Sequence, residues 1–308
     1  NKLWAINSGV ECLGDIEEAI GSNPISPTII YRKKSMNFVF LLIVSIFLSC
    51  NNYVAFAYNE EDVEYFLKHI ECHQCDLSNY NFEDKYLDQA IITDSNLSGT
   101  NFNNVKMAKA TIKASDFSNA TFIKTDMPTS LIEDSNFSNV DFTEVNLVAA
   151  TILNSSFIKS NFNLAKMYGV TAEFSVFDDS NMTNVNIQKS ILSTSSFVRT
   201  NFYESLLSLS LIDNANLSYS NLSKTKSRGV NFSDSNLKFA NLSYASFRRS
   251  VFNGSDMTNI TYKAANFYKS IFVNADLSTV DFDDVYFKQG VFCNTKMKKK
   301  IINKDCRN

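Results

Sequence analysis

Residues 231–260 read NFSDSNLKFANLSYASFRRSVFNGSDMTNI and place Phe232, Leu237, Leu242, Phe247, Phe252 and Met257 at intervals of five. A spacing of five fits neither the roughly 3.6-residue period of an α-helix nor the alternation of a strand. Followed outward, the series runs from Leu77 through Phe82, Leu87, Ile92, Leu97 and Phe102 to Met297 without slipping phase, and only Ala172 and Ser227 fail to supply a large side chain. Two residues before the centres stand small or β-branched residues, as at Ala90, Ser95, Thr100, Val105 and Ala110. Asn or Asp recurs just before the centre. The chain therefore offers two inward positions in every five.

Internal repetition at a fixed period takes precedence over any division of 308 residues into ordinary domains. With 8 Gly, 3 Pro and 26 Phe the composition argues against disorder and against a Gly-rich phosphate-binding fold. A formal charge of −3 is too small to mark the whole molecule as a nucleic-acid binder. Any electrostatic function must come from how charge is distributed.

The spacing, the small residue and the preceding Asn or Asp resemble the pentapeptide-repeat family, whose loose consensus is A(D/N)LXX, over residues 75–297. The resemblance implies an all-β fold: a right-handed quadrilateral β-helix with four pentapeptides, twenty residues, per coil. A check on the twenty lies in the residue before the centre. Read every twenty positions, it gives Ile91, Thr111, Leu131, Thr151, Thr171, Ile191, Leu211, Asn231, Val251, Ile271 and Val291, a β-branched and apolar column the other three columns lack. About eleven coils at a strand spacing of about 4.8 Å predict a solenoid roughly 53 Å long. Ladders such as Phe82, Phe102, Phe122, Phe142 and Phe162 would run along its axis.

Both ends of such a solenoid need covers. Residues 58–74 contain NEEDVEYFLKHIE, which predicts a capping helix with Asn59 as N-cap, acids in the first turn, and Val63, Phe66, Leu67 and Ile70 on the face toward the first coil. Upstream, residues 36–57 hold an apolar run from Phe38 to Leu48, too short to span a bilayer but suited to a signal peptide. Ala55-Phe56-Ala57 predicts cleavage before Tyr58, export to the periplasm or medium, and a mature chain with no transmembrane span; a lipoprotein site at Cys50 fits less well. Residues 1–35 lack periodicity. GVECLGDIEEAIGSNPISPTI resembles a bacterial serine transfer-RNA gene read as protein, so this segment reads as a spurious upstream extension or a disordered leader.

Four cysteines remain after such cleavage, Cys72 and Cys75 at one end and Cys293 and Cys306 at the other. Exported chains favour disulfides. The ending FCNTKMKKKIINKDC over residues 292–306 resembles the tail of exported pentapeptide-repeat proteins, which implies a Cys293–Cys306 bridge tethering residues 298–308, although Lys298, Lys299 and Lys300 replace the Pro-Asp-Gly turn of those tails. Cys72-His73-Gln74-Cys75, with His69, has donor types for zinc, yet a lone CxxC reads better as a structural disulfide or two packed thiols. Asp76 in place of His after Cys75 disfavours haem attachment.

Catalytic chemistry is not indicated. The two histidines sit in the cap region, and no nucleophile–base set or phosphate loop is recognisable, so neither an enzyme nor a cofactor is expected. Ser227 beside Gly229 predicts a small pocket, a bulge or a local loop adjustment, and Ala172 is expected to be compensated by Phe174. The column of Leu87, Met107 and their twenty-residue successors carries Lys106, Lys109, Lys166, Lys189, Lys226, Arg228, Arg248, Arg249, Lys269 and Lys288 against only Asp88 and Asp126. Such a stripe attracts anionic lipid, nucleic acid or an acidic surface; read as lacking base-stacking aromatics, it points only weakly to nucleic acid. Beside it, Ile191, Leu211, Val251 and Ile271 form an apolar column suited to a second copy or another protein.

These readings converge on a non-enzymatic exported scaffold or interaction rod, with a protein as the expected partner. Two alternatives stand beside it. One is a cytoplasmic nucleic-acid mimic acting on a topoisomerase, as some pentapeptide-repeat relatives do; the other is a peripheral binder of anionic membrane through the basic face.

Overall fold

The computed structural model describes residues 58–281, 286–298 and 300–306. The leader over 1–35, the signal-like segment over 36–57, the cleavage point after Ala57 and the alternative at Cys50 lie outside the described residues. One helix, α1 (Glu60–His69), precedes six three-residue strands: β1 (Glu71–His73), β2 (Ile91–Thr93), β3 (Thr111–Lys113), β4 (Leu131–Glu133), β5 (Thr151–Leu153) and β6 (Thr171–Glu173). After a long stretch of single bridges come β7 (Asp276–Leu277), β8 (Phe292–Met297) and β9 (Lys300–Lys304). Strands β1 to β6 form one parallel sheet in which each strand pairs with the one twenty residues on, Glu71 with Ile91 and Ile91 with Thr111. Bridges such as Asn81 with Asn101, Lys106 with Asp126, Asp116 with Asn136 and Ile191 with Leu211 repeat that twenty-residue register on all four sides. The chain is a quadrilateral β-solenoid of about eleven turns.

The inward centres stack as the period requires. Phe82, Phe102, Phe122, Phe142 and Phe162 are fully buried, and successive rings lie between 4.7 and 5.1 Å apart. On the adjacent side, Phe117, Phe137, Phe157, Phe177 and Phe197 form a parallel stack at 4.6 to 5.2 Å. Further along, the rings change sides: Phe232, Phe252, Phe272 and Phe292 stack on one opposite side and Phe247, Phe267 and Phe287 on the other, at 5.1 to 5.3 Å. Leu217, Leu222 and the buried Ser227 occupy the changeover.

The consensus polar residues have a backbone task. The Asn96 carboxamide oxygen accepts from the Ser98 amide at 3.1 Å while its Nδ2 donates to Asp76 one coil back, also at 3.1 Å. Asn161, Asn181 and Asn221 repeat the arrangement along another side. A side chain with both an acceptor and a donor fits that position, so Asn dominates it. Two residues past the centre the backbone turns left-handed at non-glycine residues, such as Lys124 at φ 58° and Asn139 at φ 60°. An αL residue of this kind costs on the order of 1 kcal/mol. A bond to the next coil, such as Lys124 N–H to Thr143 O at 2.9 Å, offsets that cost.

The sheet of β1 to β6 owes its extension to a buried serine row. The Ser95 amide donates to Ser115 Oγ, Ser115 to Ser135 and Ser135 to Ser155, while the Ser95 and Ser115 hydroxyls donate to Thr93 O and Lys113 O. Elsewhere the corresponding amide closes a tight turn, as Val105 N–H to Phe102 O at 3.1 Å. Serine thus substitutes an inter-coil bond for a turn bond.

α1 covers one end. Asn59 Oδ1 accepts from the Glu61 amide at 3.0 Å, Val63 and Phe66 are buried, and Phe66 meets Phe82 edge-on at 5.4 Å. Leu67, expected on the covered face, is exposed instead, because it lies one residue past Phe66 and therefore about 100° round the helix. The solenoid also starts earlier than residue 75, since Glu71–His73 already pairs in register with Ile91–Thr93. At the far end β8 pairs parallel with β7, and β9 folds back antiparallel on β8. The tail from residue 298 therefore includes a strand as well as a tether, and Met297 pairs with Lys300 across the lysine-rich turn. Cys293 and Cys306 are disulfide-bonded, Cα atoms 4.9 Å apart.

Candidate interaction surface

Four columns of outward side chains follow from the register, and they differ chemically. The first face is centred on Leu77 and its successors, the second on Phe82, the third on Leu87 and the fourth on Cys72 and Ile92. Ion pairs on the first and second faces join successive coils. Arg199 holds Asp179 at 2.6 Å, which lowers the carboxyl pKa and raises that of the guanidinium. Lys224 donates to the Tyr203 hydroxyl and reaches Glu204 at 3.1 Å; these two contacts, Tyr203 first, raise the Lys224 pKa, while Lys224 and then Tyr203 lower that of Glu204. Lys238 pairs with Asp256 and Lys296 with Asp276. Burial pushes both of these carboxyls up, but hydroxyl and amide hydrogen bonds from Thr258 or Ser278, with the lysine, leave each below the usual range.

The third face behaves differently. Its first coils are partly neutralised, because Lys106 pairs with Asp126 at 3.1 Å and leaves Lys109 as the neighbouring cation. From residue 166 to residue 289 this face contains no carboxylate and carries Lys166, Lys189, Lys226, Arg228, Arg248, Arg249, Lys269 and Lys288. All eight are exposed, and none forms an ion pair among the described residues.

Aromatic side chains share this face, contrary to the sequence reading. Lys189 Nζ lies 5.3 Å from the Tyr168 ring centre, and Arg248 and Lys269 each lie 5.3 Å from that of Tyr268. Tyr286 stacks at 6.2 Å on Tyr268. All three tyrosines adjoin a centre of the basic column, so their places were visible in the sequence. Near the end of the face, Arg248, Asn266, Tyr268, Tyr286, Lys288 and Gln289 line a hollow of about 520 Å³.

The apolar column on the fourth face is in register but interrupted. Asn231 bridges Leu211 to Val251, leaving Ile191 and Leu211 exposed at 37% and 43% and Val251 and Ile271 half-buried. A recess of about 860 Å³ beside Ile271, Val273, Gln289 and Val291 runs under Cys293 and Cys306.

Other predicted features resolve structurally. Cys72 and Cys75 are disulfide-bonded, with Cα atoms 5.8 Å apart. His73 Nδ1 meets Thr93 Oγ1 at 2.7 Å, His69 Nδ1 meets Tyr65 O at 2.9 Å, and among the described residues no cluster of ligating side chains could hold a metal ion. Ser227 causes no bulge: its coil keeps register from Leu206 through Lys226 to Ser246, and its hydroxyl donates to Thr225 Oγ1 at 3.1 Å. Gly229 takes φ +70° with its amide bonded to Arg248 O, the same corner geometry as its neighbours. Phe174 does not compensate Ala172, since it is 62% exposed at a left-handed corner that points outward. Among the described residues no helix is long and apolar enough to cross a membrane.

A capped repeat solenoid with chemically distinct faces defines a class of repeat scaffold. Pentapeptide repeats match this chain in eight copies over residues 70–108, 135–171, 210–243 and 231–261. The chain belongs to the pentapeptide-repeat family. Among solved structures it is similar to HetL, a pentapeptide repeat protein involved in heterocyst differentiation regulation in the cyanobacterium Nostoc sp. strain PCC 7120. That likeness has 16% identity, spans 78% of this chain and 98% of that one, and has a TM-score of 0.29. It is also similar to full-length QnrB1, a plasmid-mediated fluoroquinolone resistance protein, at 15% identity over 74% and 94% of the two chains with a TM-score of 0.29. A pentapeptide repeat protein of the Arabidopsis thaliana thylakoid lumen matches at 18% identity over 36% and 63%, with a TM-score of 0.15. Likenesses at this level transfer none of those proteins' roles. No curated protein matches the chain in sequence.

Proposed function

We propose that this protein is an exported, non-enzymatic scaffold whose third face docks an anionic partner. The observation that carries the docking reading is eight exposed, unpaired cations on one side of a chain whose formal charge is −3. Two disulfides support the export part, because such bonds persist in oxidising compartments. A nucleic-acid mimic would need a continuous acidic face, whereas Asp179, Glu204, Asp256 and Asp276 are each paired with a cation of a neighbouring coil.

At neutral pH and low salt the chain, despite a sequence pI near 5.5, should be retained on a cation exchanger. Arg248→Glu combined with Arg249→Glu should move it to the flow-through; an unretained wild-type chain would end the docking reading. Export predicts a product trimmed near Ala57 outside the cytoplasm. Cell fractionation that finds only the untrimmed chain in the cytoplasm would refute it.

A further inference from the structure

The geometry points to a linear anionic polysaccharide, lying along the solenoid axis, as the occupant of the third face; this rests on the docking reading above. The bridges from Lys166 through Asn186, Leu206, Lys226, Ser246 and Asn266 to Tyr286 set seven rungs in one straight row. At about 4.8 Å per rung the track is about 29 Å long. Six of the seven rungs carry one or two cations, and the rung of Leu206 and Leu209 carries none.

That charge density selects among polymers. Duplex DNA presents one negative charge per roughly 1.7 Å, about twice as dense as the cations of the track, and its binders are strongly basic domains, unlike a chain of pI near 5.5. A polyuronate has one carboxylate per sugar, and an extended pyranose chain advances by about one ring per rung. Each acidic sugar then meets about one cationic rung.

The uncharged side chains point the same way. Tyr168 and Tyr268 hold Lys189, Arg248 and Lys269 against their rings, which reduces the side-chain freedom lost on binding. In the terminal hollow, Asn266 and Gln289 supply amides and Tyr286, 49% exposed, a ring edge and hydroxyl. These groups complement sugar hydroxyls and ring faces, and they add nothing to attraction toward an anionic bilayer.

The test titrates the full chain, at fixed salt, with polygalacturonate oligomers of defined length, with oligo(dT) and with phosphatidylglycerol vesicles. Affinity for polygalacturonate should rise with oligomer length and level off near seven sugars, one for each rung of the track. Arg248→Glu with Arg249→Glu should weaken it about tenfold or more, since binding scales with the charges neutralised. Tyr286→Ala with Gln289→Ala, which leaves every cation in place, should weaken polygalacturonate but not oligo(dT). Equal or tighter binding of oligo(dT) or vesicles, length-independent affinity, or an unaffected Tyr286/Gln289 variant would overturn the polysaccharide while leaving the docking reading intact. Failure of all three probes would overturn both.

Discussion

Phe142→Ala should lower the unfolding free energy by about 3 to 5 kcal/mol in urea denaturation, among the largest single-site losses this chain can show. Phe142 is fully buried, stacked at 4.8 Å on Phe162, and tilted against Phe122, Phe137 and Phe157 at 5.1, 5.7 and 5.8 Å. The space left behind cannot easily close. Its coil is pinned by Phe142 N–H to Asn161 O at 2.7 Å and Val145 N–H to Phe142 O at 3.0 Å, so the walls cannot move in without breaking ladder bonds. Phe142→Leu should cost less, because Leu222 and Leu242 fill the same column further along. A loss below about 1 kcal/mol for the alanine variant would mean that the ring stack is not what holds the coils together.

Phe66→Asp should detach the N-terminal cover. Phe66 is the fully buried side chain of α1 and lies on Phe82, so a carboxylate there is either desolvated without a partner or carries the helix away into water. Nearest-neighbour stability makes the damage local. Amide exchange should accelerate over β1, β2 and the first coil, while the amides around Phe137 to Phe177 keep their protection. Loss of protection along the whole solenoid would show that it melts as one unit; no change near β1 would show that α1 is dispensable.

The interior was readable from the sequence because burial recurs at a fixed step: a large side chain every five residues has no other regular fold to serve. The ends were harder. Cys72 stands at the first centre in place of the usual large aliphatic or aromatic side chain, so the sequence pattern marked the solenoid only from residue 75, later than Glu71. At the other end, Phe292 to Met297 keep the five-residue phase while running extended as β8, and nothing in that phase announces the antiparallel return of β9. Phe174 was misplaced for a different reason. Size alone suggested burial, but the second residue after nearly every described centre sits at a left-handed corner, and Phe174 there is exposed.

The basic column was legible as a stripe of charges twenty residues apart. Its freedom from counter-ions was not, because pairing depends on which neighbouring coil presents a carboxylate at reach. Lys106 and Lys224 belong to similar repeats as Lys166 and Lys226, yet the first two are paired and the last two are not. Tyr168 and Tyr268 contradict the reading of the stripe as lacking aromatics, although both stand in its twenty-residue column in the sequence.

The register also limits how such a chain can lengthen over generations. Copying a block of twenty residues inserts one rung and returns every later side chain to its own face, so a binding track can grow without being redesigned. Gain or loss of a single five-residue block would instead turn everything downstream by a quarter of the circumference and cut the row of cations in two.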